Sequence, residues 1–181
     1  GSGDSGEICV CLVINGNEFP YAESLVDLLT YKYSRIVSIV LNVNKKISNL
    51  ILGDEYKTLW GKLGISDVFC GVELDISPAA FYQVNHDAAE LLCRTAADIA
   101  DLKGDEHLLD LYCGIGSVGL SMSHKVRRLT GVEIVPQAVE CAVKNAERAG
   151  IENARFVCAD SADGAADILA KADELPDVVV L

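Results

Sequence analysis

The stretch L-L-D-L-Y-C-G-I-G-S-V-G-L, Leu108 to Leu120, runs from apolar residues through a carboxylate into three glycines. Gly114, Gly116 and Gly119 keep the G-x-G-x-x-G spacing of a turn between a strand and a helix, where missing side chains let a ligand approach the backbone. Glu133, in G-V-E-I-V at the end of the next apolar run, is placed to accept hydrogen bonds from ribose hydroxyls. Asp160, in F-V-C-A-D one run further on, is placed to accept from an adenine amino group, or to cap the helix after it. These positions point to a ligand that carries adenosine.

The residue ahead of the glycines narrows the choice. Asp110 stands four residues before Gly114. A nicotinamide site seats its pyrophosphate on the helix that follows the loop, and a nearby carboxylate repels that charge. A carboxylate suits a ligand with an ammonium and a sulfonium and no phosphate, which describes S-adenosylmethionine. GxGxxG alone is weak, since a structural turn uses the same residues, so a nicotinamide-dependent oxidoreductase stays open as a rival. A non-catalytic adenosyl-binding module stays open as another.

Other chemistry is poorly represented. The seven cysteines form no CxxC pair and no Cys/His cluster with metal spacing, and most sit inside apolar runs, where a thiol behaves as a small hydrophobe. Cys9 and Cys11 would share one face of a strand, but two ligands do not make a metal site, and no metal is expected. A reducing, cytoplasmic compartment fits this usage. The net charge is −12, with only short basic clusters at Lys45-Lys46 and around Lys125, Arg127 and Arg128. That argues against a self-sufficient nucleic-acid binder, because phosphates are gripped by Lys and Arg. No run approaches the roughly 18 apolar residues of a membrane span, and no signal peptide is legible. The leading Gly-Ser-Gly reads as a cloning scar.

The elements that position these residues follow from periodicity. Glu7–Ile14 and Ile36–Val43 read as strands, with a helix from Pro20 to about Tyr33 between them. Ile47–Leu52 and the segments around Leu59, Val68–Cys70 and Val72–Ile76 read as shorter strands. Residues 1–76 thus form a small α+β unit. I-S-P-A-A-F-Y-Q-V-N, Ile76–Asn85, leads into a helix capped by Asn85 and running to about Leu102. Ala88, Leu92, Thr95, Ala96 and Ile99 are expected to line its packed face. Residues 77–181 then alternate: strand Leu108–Tyr112, helix Ser117–Ser123, strand Leu129–Val132, helix Pro136–Ala149, strand Ala154–Cys158, helix Asp163–Lys171 and strand Val178–Leu181. Such alternation means βαβ units on a parallel sheet. Right-handed crossovers bring the glycine loop and the ends of the first three strands to one edge. The last strand would lie at a sheet edge and is expected to pair with a second chain as an edge-strand dimer.

Taken together, I-S-P-A-A-F-Y-Q-V-N, L-L-D-L-Y-C-G-I-G-S-V-G-L and G-V-E-I-V-P-Q-A-V-E-C-A-V-K-N-A-E-R-A-G-I-E-N-A-R-F-V-C-A-D resemble the RNA uracil-5-methyltransferases. The resemblance runs from about Gly6 to Leu181, and F-x-Q-x-N ahead of D-L-Y-C-G-x-G is its most distinctive part. It implies a partial Rossmann-like class I S-adenosylmethionine-dependent methyltransferase domain, with the α+β unit as a central subdomain, and an RNA substrate methylated at C5 of uridine. It implies that Gln83, Tyr112, Gly114, Gly116, Ser117, Glu133 and Asp160 meet the cofactor. Ala80 stands where the family usually has Ser. The resemblance also implies an N-terminal barrel, an Asp-Pro-Pro motif, a catalytic Cys and a general base, none of which falls within these residues. The chain is therefore expected to be a fragment with no catalytic nucleophile, inactive alone.

Overall fold

The structure, a computed structural model, describes residues 1–47, 49–83, 85–171 and 175–181. The chain divides into two compact units, residues 1–67 with 75–79, and residues 68–74 with 80–181. The boundary expected between Ile76 and Ser77 falls inside the short segment 75–79 of the first unit.

In the first unit, β1 (Ile8–Ile14), α1 (Ala22–Lys32), β2 (Ile36–Val43) and β3 (Glu55–Gly61) follow in order. β2 is the central strand, parallel to β1 and antiparallel to β3. Its β-branched and Leu side chains at Ile36, Ile39, Val40 and Leu41 are buried and supply the core of this sheet. Gly61 has φ +70°, and a Cβ there would stand 2.1 Å from the Val37 carbonyl oxygen, so the end of β3 requires glycine.

The strand expected at Ile47–Leu52 does not form, and Ser48 within it lies outside the described residues. The Asn44 amide donates to the carbonyls of Leu50 and Ile51, at 2.8 and 3.0 Å, and folds the segment into a loop. Buried Asn42 closes the loop by donating to the Gly53 carbonyl and accepting from the Gly53 N–H. Side-chain amides satisfy the backbone here in place of a ladder, which apolar patterning does not reveal.

β4 (Ile65–Phe69) and β5 (Val72–Ile76) pair as a hairpin whose tip, residues 68–74, belongs to the second unit. The second unit continues with α2 (His86–Ala100), β6 (His107–Asp110), α3 (Ser117–Met122), β7 (Arg128–Glu133), α4 (Pro136–Arg148), β8 (Ala154–Cys158), α5 (Ser161–Leu169) and β9 (Val178–Val180). Four strands make one all-parallel sheet in the order β8-β7-β6-β9. All four residues of β6 are buried, as a central strand covered on both faces requires.

The packed face of α2 differs from expectation. Asn85 caps the helix, accepting from the Ala88 N–H at 3.2 Å. Cys93 and Ala97 are its buried residues, whereas Leu92 and Ile99 are 69% and 80% exposed. The reason is close approach: the Cys93 thiol lies 2.9 Å from the Ser121 hydroxyl on α3, so small side chains occupy the contact. α5 begins at Ser161, two residues earlier than expected, because Asp160 caps it.

Candidate functional site

The carboxyl ends of β6, β7 and β8 share one edge of the parallel sheet, the usual ligand edge of such folds. β6 ends in Asp110, only 4% exposed. Its carboxylate accepts from the Gly119 N–H at 3.2 Å and also bonds the Tyr112 N–H. Burial pushes this carboxyl up to about 6; the two N–H groups oppose that, and the neighbouring charge of Glu133 adds to it. The sequence reading set Asp110 against the ligand. The structure instead buries it beneath the loop, where it ties β6 to α3.

The turn itself is built on two left-handed glycines, Gly114 at φ +54° and Gly116 at φ +85°. The Gly116 N–H donates to the Cys113 carbonyl at 2.7 Å, and the Gly116 carbonyl starts the α3 ladder by accepting from Leu120 at 2.8 Å. A Cβ on Gly116 would lie 2.9 Å from Leu120 Cδ1, whereas one on Gly114 would meet nothing within 4 Å. Gly114 thus presents open backbone, and Gly116 is held by packing. Ser117 opens α3 and is half-buried.

Glu133 ends β7 and clamps the turn from the neighbouring strand. One oxygen accepts from the Gly114 N–H at 3.1 Å and the other from the Val135 N–H at 2.9 Å. Each oxygen keeps a further lone pair for a ligand hydroxyl. Asp160, exposed at the end of β8, uses one oxygen on the Ala162 N–H at 2.9 Å. The Tyr112 ring is 66% exposed, and its hydroxyl takes a hydrogen bond from Ser161 at 3.0 Å. Tyr112, Gly114, Gly116, Glu133 and Asp160 therefore gather at one edge. Gln83 is exposed ahead of α2, and among the described residues no hydrogen bond joins it to the turn.

Cys113 sits within the turn but is buried, and its N–H donates to the Val132 carbonyl at 3.1 Å. Burial, with the charges of Asp110 and Glu133, pushes its thiol well above the usual range and keeps it protonated. No group of three or more His, Cys, Asp or Glu residues among the described residues could hold a metal ion.

Two contributors escaped the sequence reading. Asn145 on α4 is fully buried and donates to the Ile115 carbonyl at 3.1 Å. Its signal was a polar residue in the buried stripe Ala138, Ala142, Ala146. Ser161 had no signal, because its contact with Tyr112 spans 49 residues.

The carboxylates at this edge with acceptor capacity to spare are Glu133 and Asp160, and buried Asp110 lies beneath the loop. That acceptor set fits a cationic adenosyl ligand with a free ribose diol, and disfavours a pyrophosphate.

Comparison with known proteins agrees. The model of the tRNA (uracil-5-)-methyltransferase family matches residues 22–175. An uncharacterised RNA methyltransferase of Clostridium tetani is 37% identical over 176 residues, 97% of this chain and 38% of that protein. Among solved structures, the Pyrococcus abyssi tRNA (uracil-54, C5)-methyltransferase in complex with S-adenosyl-L-homocysteine superposes with a TM-score of 0.69 at 25% identity. That match covers 88% of this chain and 38% of the other. P. horikoshii TYW2 in complex with MeSAdo shares the fold alone, with a TM-score of 0.53 at 16% identity over 87% of this chain and 55% of the other. The fold is that of the Rossmann-like methyltransferases. The chain spans about 38% of the length of the Clostridium relative.

Proposed function

The chain belongs to the tRNA (uracil-5-)-methyltransferase family, and on that premise we propose that it is the cofactor-holding part of an S-adenosylmethionine-dependent RNA methyltransferase forming 5-methyluridine in ribosomal or transfer RNA. The observation that carries the reading is the glycine turn clamped by Asp110 from below and by Glu133 from the next strand, at an edge where Glu133 and Asp160 have acceptor capacity to spare.

Bound S-adenosylmethionine supplies an electrophilic methyl group on a sulfonium. The chain's residues hold it for transfer. Open backbone at Gly114 would admit the cofactor, with Ser117 beside it at the start of α3. Glu133 accepts from the ribose hydroxyls through the lone pairs its backbone bonds leave. Asp160 offers its second oxygen to the adenine amino group while the first caps α5. Tyr112 would lend a ring face at the same edge, and Gln83, ahead of α2, would contact the cofactor. The resemblance supports these last two roles.

Uracil C5 is a poor nucleophile. In this reading a thiolate adds to C6, C5 becomes enolate-like and takes the methyl group as S-adenosylhomocysteine leaves, and a base then removes the C5 proton while the thiolate departs from C6. Cys113 is excluded from that role by its burial. The resemblance implies that the nucleophile is a different cysteine, outside these 181 residues.

Isothermal titration of the 181-residue chain with S-adenosylhomocysteine, with NAD alongside, tests the reading. Binding of S-adenosylhomocysteine alone is expected. Binding of NAD alone would overturn it in favour of an oxidoreductase.

A further inference from the structure

The carbonyl of Ile115 lies between the two left-handed glycines of the turn, one residue ahead of the first carbonyl in the α3 ladder. It has no place in that ladder, and Ile115 is buried. Its described partner comes from another element: the Asn145 side-chain amide, on α4, donates to it at 3.1 Å. Asn145 is fully buried, with the Cys141 thiol 3.9 Å from the same nitrogen. Asparagine is a poor choice for a helix interior, since it competes for backbone hydrogen bonds. Its neighbours in the stripe are the small apolar Ala138, Ala142 and Ala146, so packing alone would be served by another apolar residue.

The Ile115–Gly116 peptide has glycine on one side, where φ turns at little steric cost. The bond from Asn145 opposes that rotation in the Ile115–Gly116 peptide, because turning the buried carbonyl away would break it. The same peptide's N–H, on Gly116, donates to the Cys113 carbonyl at 2.7 Å. One amide thus fixes the turn from both sides.

We propose that Asn145 is the positioning residue of the glycine turn, holding the Ile115–Gly116 peptide in the orientation that binds the adenosyl ligand. The proposal deepens the reading above and rests on it for the identity of the ligand.

Two substitutions test it. Asn145→Leu keeps the branched outline, adds some bulk and removes the donor. Asn145→Asp keeps the shape and sets a carboxylate against a carbonyl. For each, S-adenosylhomocysteine affinity is measured at about pH 8 and about pH 6 beside the wild type, with thermal unfolding and amide hydrogen exchange at Gly116. Asn145→Leu is expected to fold and to bind on the order of tenfold more weakly. Asn145→Asp is expected to bind worst at the higher pH and to recover toward wild type at the lower, where a protonated carboxyl donates in the amide's place. Ratios to wild type at each pH set aside the titration that the variants share with it, and hydrogen exchange at Gly116 in variants that remain folded separates positioning of the turn from a general loss of stability.

Wild-type affinity in a folded Asn145→Leu overturns the proposal. If Asn145→Leu does not fold, the pH recovery of Asn145→Asp decides: recovery supports the proposal and its absence refutes it. If the wild type itself binds no S-adenosylhomocysteine, the ligand reading fails. Exchange at Gly116 then decides the positioning role, faster exchange in the variants supporting it and unchanged exchange overturning it.

Discussion

Asp110 shows how a single carboxylate serves architecture at a cost. Folding takes it out of water and raises it from an ordinary value of 3.8 to about 6. The folded state then holds a proton that the unfolded state has released, so stability from this group falls as pH rises from about 4 to about 6. Above that the cost is complete, on the order of 3 kcal/mol. An amide in place of the carboxyl would carry no such charge. The stability difference between Asp110→Asn and wild type, from urea unfolding, should therefore grow in favour of the variant from about pH 4 to about pH 6 and stay level above about pH 7. A difference independent of pH would show that Asp110 is not buried as described. The cost is tolerated because the ionised group ties Gly119 and Tyr112 to the strand end.

At the scale of elements, α2 and β9 carry the clearest consequences. α2 packs through Cys93 and Ala97, while Leu92 is exposed. Leu92→Ser should change stability by less than about 0.5 kcal/mol, whereas Ala97→Leu should cost roughly 1–3 kcal/mol by overfilling a close contact. Thermal unfolding of both variants checks this, and the reverse order would restore the face expected from periodicity. β9 is an edge of the parallel sheet, bonded to β6 on one side, with Val179 exposed. An apolar edge of this kind recruits further strands. If it mediates association, Val179→Lys should lower the average mass seen by light scattering at high concentration; equal masses for variant and wild type would dismiss the edge-strand dimer.

For the whole molecule, charge and thiol environment set the expectation. A chain of net charge −12 is a poor RNA clamp. Cys113, the cysteine within the glycine turn, is buried and held protonated. The 181-residue chain alone should therefore transfer no methyl group from radiolabelled S-adenosylmethionine to uridine-containing RNA. Single-site turnover in that assay would place a nucleophile inside the chain and overturn the assignment.

The sequence by itself determined the alternation of β6 to β9 with their helices, because periods of about 2 and about 3.6 residues record which face is buried. It also located the glycine turn and the carboxylates Glu133 and Asp160 at strand ends, since such positions call for particular residue types. Only the tertiary structure decided the rest. The loop at residues 49–53 depends on amides from Asn42 and Asn44, and the packed face of α2 depends on how closely α3 approaches. Asp110 became a fastener, and Asn145 joined the site, through bonds to Gly119 and Ile115 that span 9 and 30 residues. Such contacts leave no periodic trace. They arise when elements distant along the chain pack, and burial then makes a polar partner obligatory for each group left without one.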